Sequence, residues 1–371
     1  MKKVIVTVTN DLSTDQRVDK SCRTLSNMGF SVLLVGRRLP GSLELTGRPY
    51  TTKRMKLLFR RGPLFYAEYN IRLLWLLITH RCHLIVANDL DTLPAGFLAH
   101  RLKRVPLVYD SHEFYTETPE LVNRPFVQGI WERIEAFIFP RLTDIITVNG
   151  SIAGLYEEKY HKKLHVVRNI PRRLKEEKRY SRAELGLPED RKIILLQGAG
   201  INIQRGAEEA IEAVRHCENV LLLIIGRGDV VGKLKEKAEQ SDYRDRVMFL
   251  PKMPYEEMMR YTRLADIGLT LDKDTNINYR YSLPNKLFDY IHARIPVLAS
   301  RLPEIASIVE DYDIGMITEN HKPEHIALKL KEMLGDQELT SRWKKNLDKA
   351  AEALCWEKEE LTLKEVYQKY V

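Results

Sequence analysis

Residues 282–300 read SLPNKLFDYIHARIPVLAS, a stretch in which a turn leads into a short helix and then into a strand. The helix is indicated by apolar residues about one turn apart on one face, at Leu283, Leu287 and Ile291. The run at 295–299 is apolar throughout, which predicts a buried strand. A helix that leads into a buried strand is typical of an α/β sheet.

The start of this helix has the features of an anion site. The first amides of a helix have no backbone partner and lie at the positive end of its dipole. We therefore expect the amides of Asn285 and Lys286 to bind phosphate oxygens, with the Lys286 ammonium adding a full charge. Asp289 lies on the same face one turn later and can accept hydrogen bonds from sugar hydroxyls. The alternative is an exposed Lys–Asp pair on an ordinary helix.

Strands and helices alternate along the whole chain, as in a doubly wound sheet. A first series has strands at 4–8, 31–35, 84–87, 107–109 and 145–148, with helices near 15–28, 66–80, 93–103, 126–140 and 151–160. After the polar segment 172–182, strands follow at 193–196, 220–225, 247–250, 267–271, 297–299 and 315–317, with helices near 206–216, 231–240, 255–263, 284–293, 303–309 and 323–335. Two last helices are predicted near 338–352 and 357–370. The pattern predicts two Rossmann-like halves.

Composition agrees with this architecture. The 371 residues are 44% apolar, enough to fill two cores. The four cysteines are far apart and form no Cys-x-x-Cys pair, so neither a disulfide framework nor a zinc site is expected. No run reaches the roughly 18 apolar residues of a membrane span, and the apolar run at 4–8 is too short for a signal peptide. We expect a cytoplasmic protein.

The net charge of +8 belongs to the first half of the chain. Residues 1–170 hold 25 Lys and Arg against 16 Asp and Glu, whereas the remainder holds 34 against 35. Six cations, Arg48, Lys53, Arg54, Lys56, Arg60 and Arg61, precede the largely apolar stretch 64–77. Such a segment can lie on an anionic membrane surface. The alternative is a core helix at 64–79 that follows a solvated basic loop. No nucleic-acid-binding motif is present, so we expect no nucleic-acid partner.

Short motifs that recur in one enzyme family occur in order along the chain. They include DQRV at 15–18, YDSHE at 109–113, VRNIP at 167–171, IGRG at 225–228 and PNKLFDY at 284–290. The chain resembles glycosyltransferase family 4, the retaining nucleotide-sugar enzymes of the GT-B fold. Within it, the chain resembles a group with Pro-x-Lys-x-Phe-[Glu/Asp]-Tyr in the donor helix. Aligned on Pro296, the family's second acid falls on Asp289, and Tyr281 replaces its first acid.

The resemblance implies a GT-B fold, in which two Rossmann-like domains at 1–171 and 172–354 face each other across a cleft and a C-terminal helix at 355–371 packs back on the first domain. It implies a metal-independent hexosyltransferase that needs no cofactor. The expected reaction is retaining transfer of a sugar from a nucleoside-diphosphate sugar to a glycan or lipid-linked acceptor, as in bacterial surface polysaccharide synthesis. We therefore discount the Asp-x-Asp strings at 89–91 and 272–274 as metal sites.

The family holds the donor diphosphate with an Arg and a Lys that follow a glycine-rich turn. Here Ala199 replaces that Arg, and Arg205 takes the place of the Lys. We propose that Lys286 restores the missing charge from the opposite wall. The donor site predicted in this way contains Gly198, Gly200, Arg205, Met253, Asn285, Lys286 and Asp289. The glycine turns at 198–200 and 226–228 are equally typical of ordinary tight turns.

His112 follows the strand at 107–109 and is the catalytic residue predicted in the first half, with Asp289 its counterpart in the second. Relatives place a histidine there near the donor sugar, so we expect it to position groups and stabilise charge; the alternative is a histidine packed in a loop. Same-face attack needs no protein nucleophile, and the general base stays unnamed. The predicted acceptor-side residues are Asn10, Asp15, Arg17, Asp89 and Glu113. Alternatively, Asp15 pairs with Arg17, and Asp89 caps a helix.

Two other functions fit the same residues. One is a nucleotide-sugar 2-epimerase of the same fold, although the matching motifs are those of transferases. The other is a non-catalytic relative that binds a glycan or a partner protein. The tyrosine at 281 and the alanine at 199 favour this second alternative, because the family has an acid and an arginine there.

Overall fold

A computed structural model describes residues 1–13, 15–42, 44–45, 47–173 and 180–371. The chain divides into two compact units: residues 1–169 together with 357–371, and residues 170–356. Each unit is built on one parallel sheet, as the alternation of strands and helices predicts. Residues 174–179 of the predicted polar segment lie outside the described residues.

The first unit has a seven-stranded sheet in the order β3-β2-β1-β4-β5-β6-β7. Its strands are β1 Lys3–Asp11, β2 Ser31–Arg37, β3 Thr51–Met55, β4 Leu84–Asn88, β5 Leu107–Ser111, β6 Asp144–Thr147 and β7 His165–Val166. Its helices are α1 Gln16–Asn27, α2 Gly62–Thr79, α3 Leu93–Lys103, α4 Pro119–Val122, α5 Pro125–Ile138 and α6 Gly150–Tyr160. The central strands β4, β5 and β6 are buried along their whole length, which is why they read as apolar runs.

Two strands of this sheet, β3 and the two-residue β7, are absent from the sequence-based prediction. In the alternative interpretation of the basic segment, Lys53 and Arg54 belong to a solvated loop, but they lie in β3 and pair with Val35 and Gly36 of β2. That alternative is wrong for these two residues, and the pattern did not show the strand because β3 is an edge strand. An edge strand bonds to one neighbour and keeps much of its surface in water, so it needs no continuous apolar run.

The second unit has a six-stranded sheet in the order β10-β9-β8-β11-β12-β13. Its strands are β8 Lys192–Gly198, β9 Val220–Gly226, β10 Val247–Leu250, β11 Ile267–Thr270, β12 Val297–Ser300 and β13 Gly315–Thr318. Its helices are α7 Ala207–Val214, α8 Val231–Glu239, α9 Tyr255–Thr262, α10 Ile277–Arg280, α11 Asn285–Ala293, α12 Pro303–Asp311, α13 Pro323–Gly335 and α14 Gln337–Ala353. The stretch 282–300 therefore forms α11 and β12, as predicted.

Tyr290 fixes α11 against the sheet. Its ring lies where a side chain at Gly268 would stand, since a Cβ there would come within 2.4 Å of the ring. Its hydroxyl donates to the carbonyl of Leu269 at 3.1 Å and accepts from the amide of Gln197 at 3.3 Å. Tyr290 thus holds the second half of α11 against β8 and β11.

The last helix, α15 Trp356–Gln368, returns to the first unit, which includes residues 357–371. Glu359 accepts hydrogen bonds from the backbone amide of Arg168 at 2.7 Å and from its guanidinium at 2.6 Å. Lys369 donates to the carboxylate of Asp144 at 2.5 Å. None of the helices in the described part of the chain has the length and apolar character needed to cross a membrane.

Candidate functional site

In the first unit, polar side chains meet where β4 and β5 end. Asp89 follows β4 in the left-handed region, with φ of 60°, and its amide donates to the carbonyl of Asp110 at 2.9 Å. Its carboxylate accepts from the backbone amide of His112 at 2.9 Å and lies 3.2 Å from the Nδ1 of His112. Asp89 therefore orients His112, and its side chain does not cap the following helix as the alternative proposed.

Asp110 stands on the other side of the imidazole. One of its oxygens lies 3.6 Å from the Nε2 of His112, and the other accepts from Arg17 at 2.6 Å. Arg17 is 4% exposed and also donates to the carbonyl of Val167 at 2.6 Å. The carboxylate of Asp110 therefore lies between the side chains of Arg17 and His112 in a buried region.

These neighbours decide the charge of His112. Burial alone would lower the pKa of the imidazole, but the carboxylates of Asp89 and Asp110 outweigh it and hold the pKa well above its ordinary value. Burial acts to raise the pKa of Asp110, yet Arg17 and His112 hold it well below its ordinary value. The raised pKa favours the imidazolium form of His112, which cannot act as a general base.

Two further carboxyl groups in this region favour the protonated form. Burial, followed by repulsion from Asp89, raises the pKa of Asp91 to about 7 and the pKa of Glu113 to about 8. Asp91 accepts a hydrogen bond from the hydroxyl of Thr9 at 2.5 Å. Near neutral pH both groups can donate a hydrogen bond, whereas Asp110, with its lowered pKa, only accepts.

The predicted acceptor-side residues separate into two groups. Asp89 and Glu113 belong to the region around His112. Asp15 instead caps α1 by accepting from the amide of Val18 at 3.1 Å, and it also accepts from the side chain of Asn10 at 3.1 Å. The proposed pair between Asp15 and Arg17 is wrong, because the Arg17 guanidinium binds the buried Asp110.

In the second unit, two cations meet one buried carboxylate just beyond β11. Asp272 is fully buried, and its carboxylate lies 3.0 Å from the Nη1 of Arg205 and 3.4 Å from the Nζ of Lys286. The Arg205 guanidinium also lies over the ring of Tyr279, 4.5 Å from its centroid. We refer to Arg205, Lys286 and Asp272 as the cation cluster.

The cation cluster has one more positive than negative charge. Burial, together with the neighbouring Arg205, lowers the pKa of Lys286, while Asp272 opposes this effect. Both cations lie beside the first turn of α11, where Pro284 supplies no side-chain acceptor for the helix amides. An additional anion at this place would relieve the repulsion between the two cations and would lie at the positive end of the helix.

Asp289 has different neighbours from Lys286. It is 6% exposed and accepts from the hydroxyl of Tyr255 at 2.9 Å and from the side-chain amide of Gln197 at 3.0 Å. The side-chain oxygen of Gln197 in turn accepts from Thr262 at 2.7 Å. The alternative of an exposed Lys–Asp pair on α11 is therefore wrong. Asp289 ties α11 to β8 and α9, with both of its oxygens engaged inside the protein.

The two glycine turns differ in whether close packing excludes a side chain at their glycines. A Cβ at Gly226 would come within 1.8 Å of the carbonyl of Gly198, and one at Gly228 within 1.8 Å of the carbonyl of Ile201, so packing explains both glycines. At Gly198 and Gly200 a Cβ would meet only atoms 3.9 and 3.8 Å away. Packing does not explain the first pair, and these are the glycines predicted to approach the donor.

Two further residues were predicted in the donor site, Met253 and Asn285. Met253 is partly buried against the core of the second unit, and Asn285 is exposed at the start of α11. The two acids of the string at 272–274 have different partners: Asp272 lies in the cation cluster, whereas Asp274 binds Arg280 at 3.0 Å. Across the described ranges, no three His, Cys, Asp or Glu side chains are grouped so as to hold a metal ion.

Two family models match the sequence, one in each half. Residues 16–170 match Glycosyltransferase Family 4, and residues 177–350 match Glycosyl transferases group 1. The chain is a GT-B glycosyltransferase. The predicted fold class is confirmed, because sucrose-phosphate synthase from Thermosynechococcus elongatus superposes with a TM-score of 0.80 at 16% identity, over 100% of this chain and 99% of that one.

Other known proteins are similar to this glycosyltransferase. HepE from Anabaena, solved in complex with UDP-glucose, has a TM-score of 0.77 at 14% identity, with 100% of each chain covered. In sequence, the chitobiosyldiphosphodolichol beta-mannosyltransferase of Candida albicans is 23% identical over 157 residues. That match spans 37% of this chain and 34% of the yeast enzyme, so the chain matches about a third of that relative.

Sequence reasoning missed the residues that hold this glycosyltransferase's predicted site residues in place. Asp110 is the penultimate residue of the buried strand β5, and Asp272 lies two residues after β11, so a carboxylate near the end of an apolar run was the available signal for both. Gln197 near the end of β8 carries the same kind of signal. Tyr255 carries none, because its contact with Asp289 depends on how α9 packs against α11.

Proposed function

We propose that this glycosyltransferase transfers a hexose from a nucleoside-diphosphate sugar to a glycan or lipid-linked acceptor with retention of configuration, in surface polysaccharide synthesis. The cation cluster is the observation that carries the proposal. Two cations held 3.0 and 3.4 Å from one buried carboxylate, beside a helix N-terminus, suit a ligand that carries more than one negative charge.

The charges of the cation cluster fit a departing diphosphate. Asp272 already neutralises one of the two cations, and this holds both side chains in place before the ligand arrives. When the bond to the sugar breaks, the diphosphate gains about one further negative charge, which Arg205, Lys286 and the amides of α11 would stabilise. HepE from Anabaena, which has the same fold, was solved with UDP-glucose, and this supports a nucleotide-sugar donor.

His112 has the charge expected of a group that stabilises an anion. Its Nδ1 faces Asp89, while its Nε2 lies 3.6 Å from Asp110, beyond hydrogen-bond distance, and we assign this N–H to a substrate oxygen. Because the imidazolium has no lone pair to accept a proton, we assign it a positioning and charge-stabilising role. In same-face attack the departing phosphate takes the acceptor proton, so no protein base is required.

The experiment is turnover of a panel of UDP-, GDP-, ADP- and TDP-sugars, measured as release of the nucleoside diphosphate with and without candidate acceptors. A thermal-shift screen of the four nucleoside diphosphates identifies the base first. Transfer with retention, established by NMR of the anomeric proton of the product, is the expected result. A product that is the free donor with an inverted hydroxyl at C2 would instead identify an epimerase.

A second candidate is a binding protein without turnover, favoured by Tyr281 and Ala199. Tyr281 directly follows α10, and Tyr279 of that helix supplies the ring that lies against the Arg205 guanidinium. In an active enzyme, Tyr281→Glu should shift the preference among donors, whereas Tyr281→Phe should be tolerated. If neither the wild type nor Tyr281→Glu turns over any nucleotide sugar, the binding function is the correct one.

A further inference from the structure

Helix α2 has two apolar faces, one in the core and one in solvent. Phe65, Tyr69, Leu73 and Leu76 are buried against the rest of the first unit. On the opposite side, Leu64, Ile71, Trp75 and Ile78 form an exposed stripe, in which Ile71 is 69% and Trp75 71% exposed. We call these four residues the outer face of α2. A surface helix normally places polar residues on its outer side, so this face has a use that the fold does not explain.

The neighbouring helix continues the apolar surface. Leu98 and Leu102 of α3 are exposed, and the end of α3 is joined to the end of α2. The Lys103 ammonium donates to the carbonyls of Leu77 at 2.7 Å and His80 at 2.6 Å, which brings the two helix ends together. The two helices therefore present apolar side chains side by side.

The loop before α2 presents two more apolar side chains, and its backbone is tied to the helix. The Glu68 carboxylate accepts from the amides of Leu58 and Phe59, both at 2.9 Å. Arg72 pairs with Glu68 at 2.7 Å and donates to the carbonyl of Lys56 at 2.9 Å. Leu58 is nonetheless 79% exposed. The loop is thus held in a fixed conformation that directs its apolar side chains away from the core.

The part of the chain that contains these two helices exposes a strong excess of positive charge. Between residues 53 and 141, eleven exposed side chains are cationic: Lys53, Lys56, Arg60, Arg61, Arg72, Arg81, Arg101, Arg104, Arg124, Arg133 and Arg141. Only Glu120 and Glu132 are exposed acids in the same part of the chain, all of which the structure describes. A protein partner would need a matching acidic surface, whereas an anionic bilayer offers acidic headgroups above an apolar interior.

We propose that the outer face of α2, with the loop tip at Leu58 and Phe59, docks this protein on an anionic phospholipid bilayer. At 18 residues, α2 is about 27 Å long and lies along the interface with its outer face among the acyl chains. The flanking arginines and lysines bind the headgroups. This inference does not depend on the proposed transfer reaction, because it rests on a surface outside the site residues.

Trp75 makes the proposal directly measurable. It is the one exposed tryptophan of the four, all of which lie in the described residues, since Trp131, Trp343 and Trp356 are buried. When the full chain is mixed with phosphatidylcholine vesicles that contain phosphatidylglycerol, the emission of Trp75 should shift to the blue and be quenched by brominated acyl chains. Pure phosphatidylcholine vesicles should give a much smaller change, and added salt should weaken binding.

Variants separate this face from the rest of the surface. Ile71→Glu combined with Trp75→Glu should weaken co-sedimentation with the anionic vesicles by about tenfold or more, and Arg60→Ala and Arg61→Ala by about fivefold each. Leu328→Glu, which changes an exposed leucine in the second unit, should bind like the wild type. Circular dichroism confirms that each variant is folded.

Two results would overturn the proposal. The first is binding to anionic vesicles that is equal in the wild type and the Ile71→Glu, Trp75→Glu variant, or absent from both. The second is a concentration-dependent dimer, seen by analytical ultracentrifugation without lipid, that the same variant abolishes, because the outer face would then be an interface between two copies of the chain.

Discussion

The Nζ of Lys286 lies 3.4 Å from a carboxylate oxygen of the fully buried Asp272. Arg205 binds the other oxygen of the same carboxylate at 3.0 Å. A buried anion that holds two cations stabilises each of them, and its removal leaves like charges beside each other. This relationship makes the stability of the second unit depend on what neutralises the two cations.

The first prediction concerns the variant Asp272→Asn. It should lower the free energy of unfolding by about 3 to 5 kcal/mol, because both cations lose their buried partner. It should also increase the rise in Tm caused by a nucleoside diphosphate, since the ligand then replaces the missing charge. Urea unfolding and thermal denaturation with and without ligand measure the two effects.

Asp266→Asn is the matched control for Asp272→Asn. Asp266 also holds two cations, Arg182 at 2.8 Å and Lys192 at 3.2 Å, but it precedes β11 and lies at the opposite end of the strand. It should lower stability by less and leave the ligand-induced shift unchanged. A shift that is equal in Asp272→Asn and in the wild type would show that the cation cluster is purely structural.

The second prediction concerns Asp289, which receives hydrogen bonds from Tyr255 and Gln197. In Asp289→Asn, an NH2 group replaces one carboxylate oxygen and faces the hydrogen-bond donor of Tyr255 or Gln197. The free energy of unfolding should therefore fall by about 1 to 3 kcal/mol. If the remaining lone pairs also bind a donor hydroxyl, the KM for the donor should rise more than kcat falls. Steady-state kinetics on the folded variant measures this.

Tyr255→Phe separates the two roles of Asp289. It removes one internal hydrogen bond and leaves the carboxylate intact, so it should reduce stability without raising the KM for the donor. A variant Asp289→Asn that is less stable but has an unchanged KM would assign Asp289 to positioning α11 alone.

The third prediction is a loss of stability at alkaline pH that originates at His112. The folded-state pKa of His112 is raised, so its contribution to stability is complete below its unfolded pKa of about 6.5 and is lost as pH rises through the folded value. In His112→Gln this part of the pH dependence should be absent. The measurement is urea unfolding of both proteins from about pH 6 to about pH 9.

Asp91 and Glu113 act in the same direction, because their raised pKa values mean that the folded state binds protons more tightly than the unfolded state. His112 lowers the pKa of both groups, so we expect their pKa values to rise further in His112→Gln, and the difference between the two proteins reports the loss of His112 together with this effect. Identical pH profiles would contradict the assignment of His112 as an imidazolium.

The fourth prediction concerns metal. The carboxylates of Asp89, Asp272 and Asp274 already bind His112, Arg205 and Arg280, respectively, so we expect turnover to persist in excess EDTA. The assay is donor turnover before and after chelation. Loss of activity with EDTA and its return with manganese or magnesium would restore the metal interpretation of the Asp-x-Asp strings.

Much of the fold was predictable because buried strands and amphipathic helices have short-range patterns. The turn, helix and strand at 282–300 are local, and so is the alternation that predicts two parallel sheets. Edge strand β3 was not predictable from its pattern, since Thr51–Met55 is polar and its pairing with β2 is decided by the neighbouring strand. Helix α2 was ambiguous, because apolar residues on both faces remove the helical period that normally tells core from solvent.

The site was predictable only where residues are close in sequence. Asn285 and Lys286 follow from one helix start. The contact of Lys286 with Asp272 depends on α11 lying beside the end of β11, and that of Arg205 depends on β8 pairing with β11. Arg17 and Asp110 are separated by 93 residues in sequence, so no local spacing could pair them. Such partners require the order of strands in the sheet, which a single sequence does not supply.

The central claim is that Arg205 and Lys286 bind the diphosphate of the donor, and calorimetry tests it most directly. The measurement is titration of the preferred nucleoside diphosphate into the wild type, Arg205→Ala, Lys286→Ala and the double variant, with Lys192→Ala as control. We expect each single variant to lose about 1.5 to 3 kcal/mol of binding free energy and the double variant to lose less than the sum, because both cations face one ligand. Binding that is unchanged in both single variants would contradict the claim.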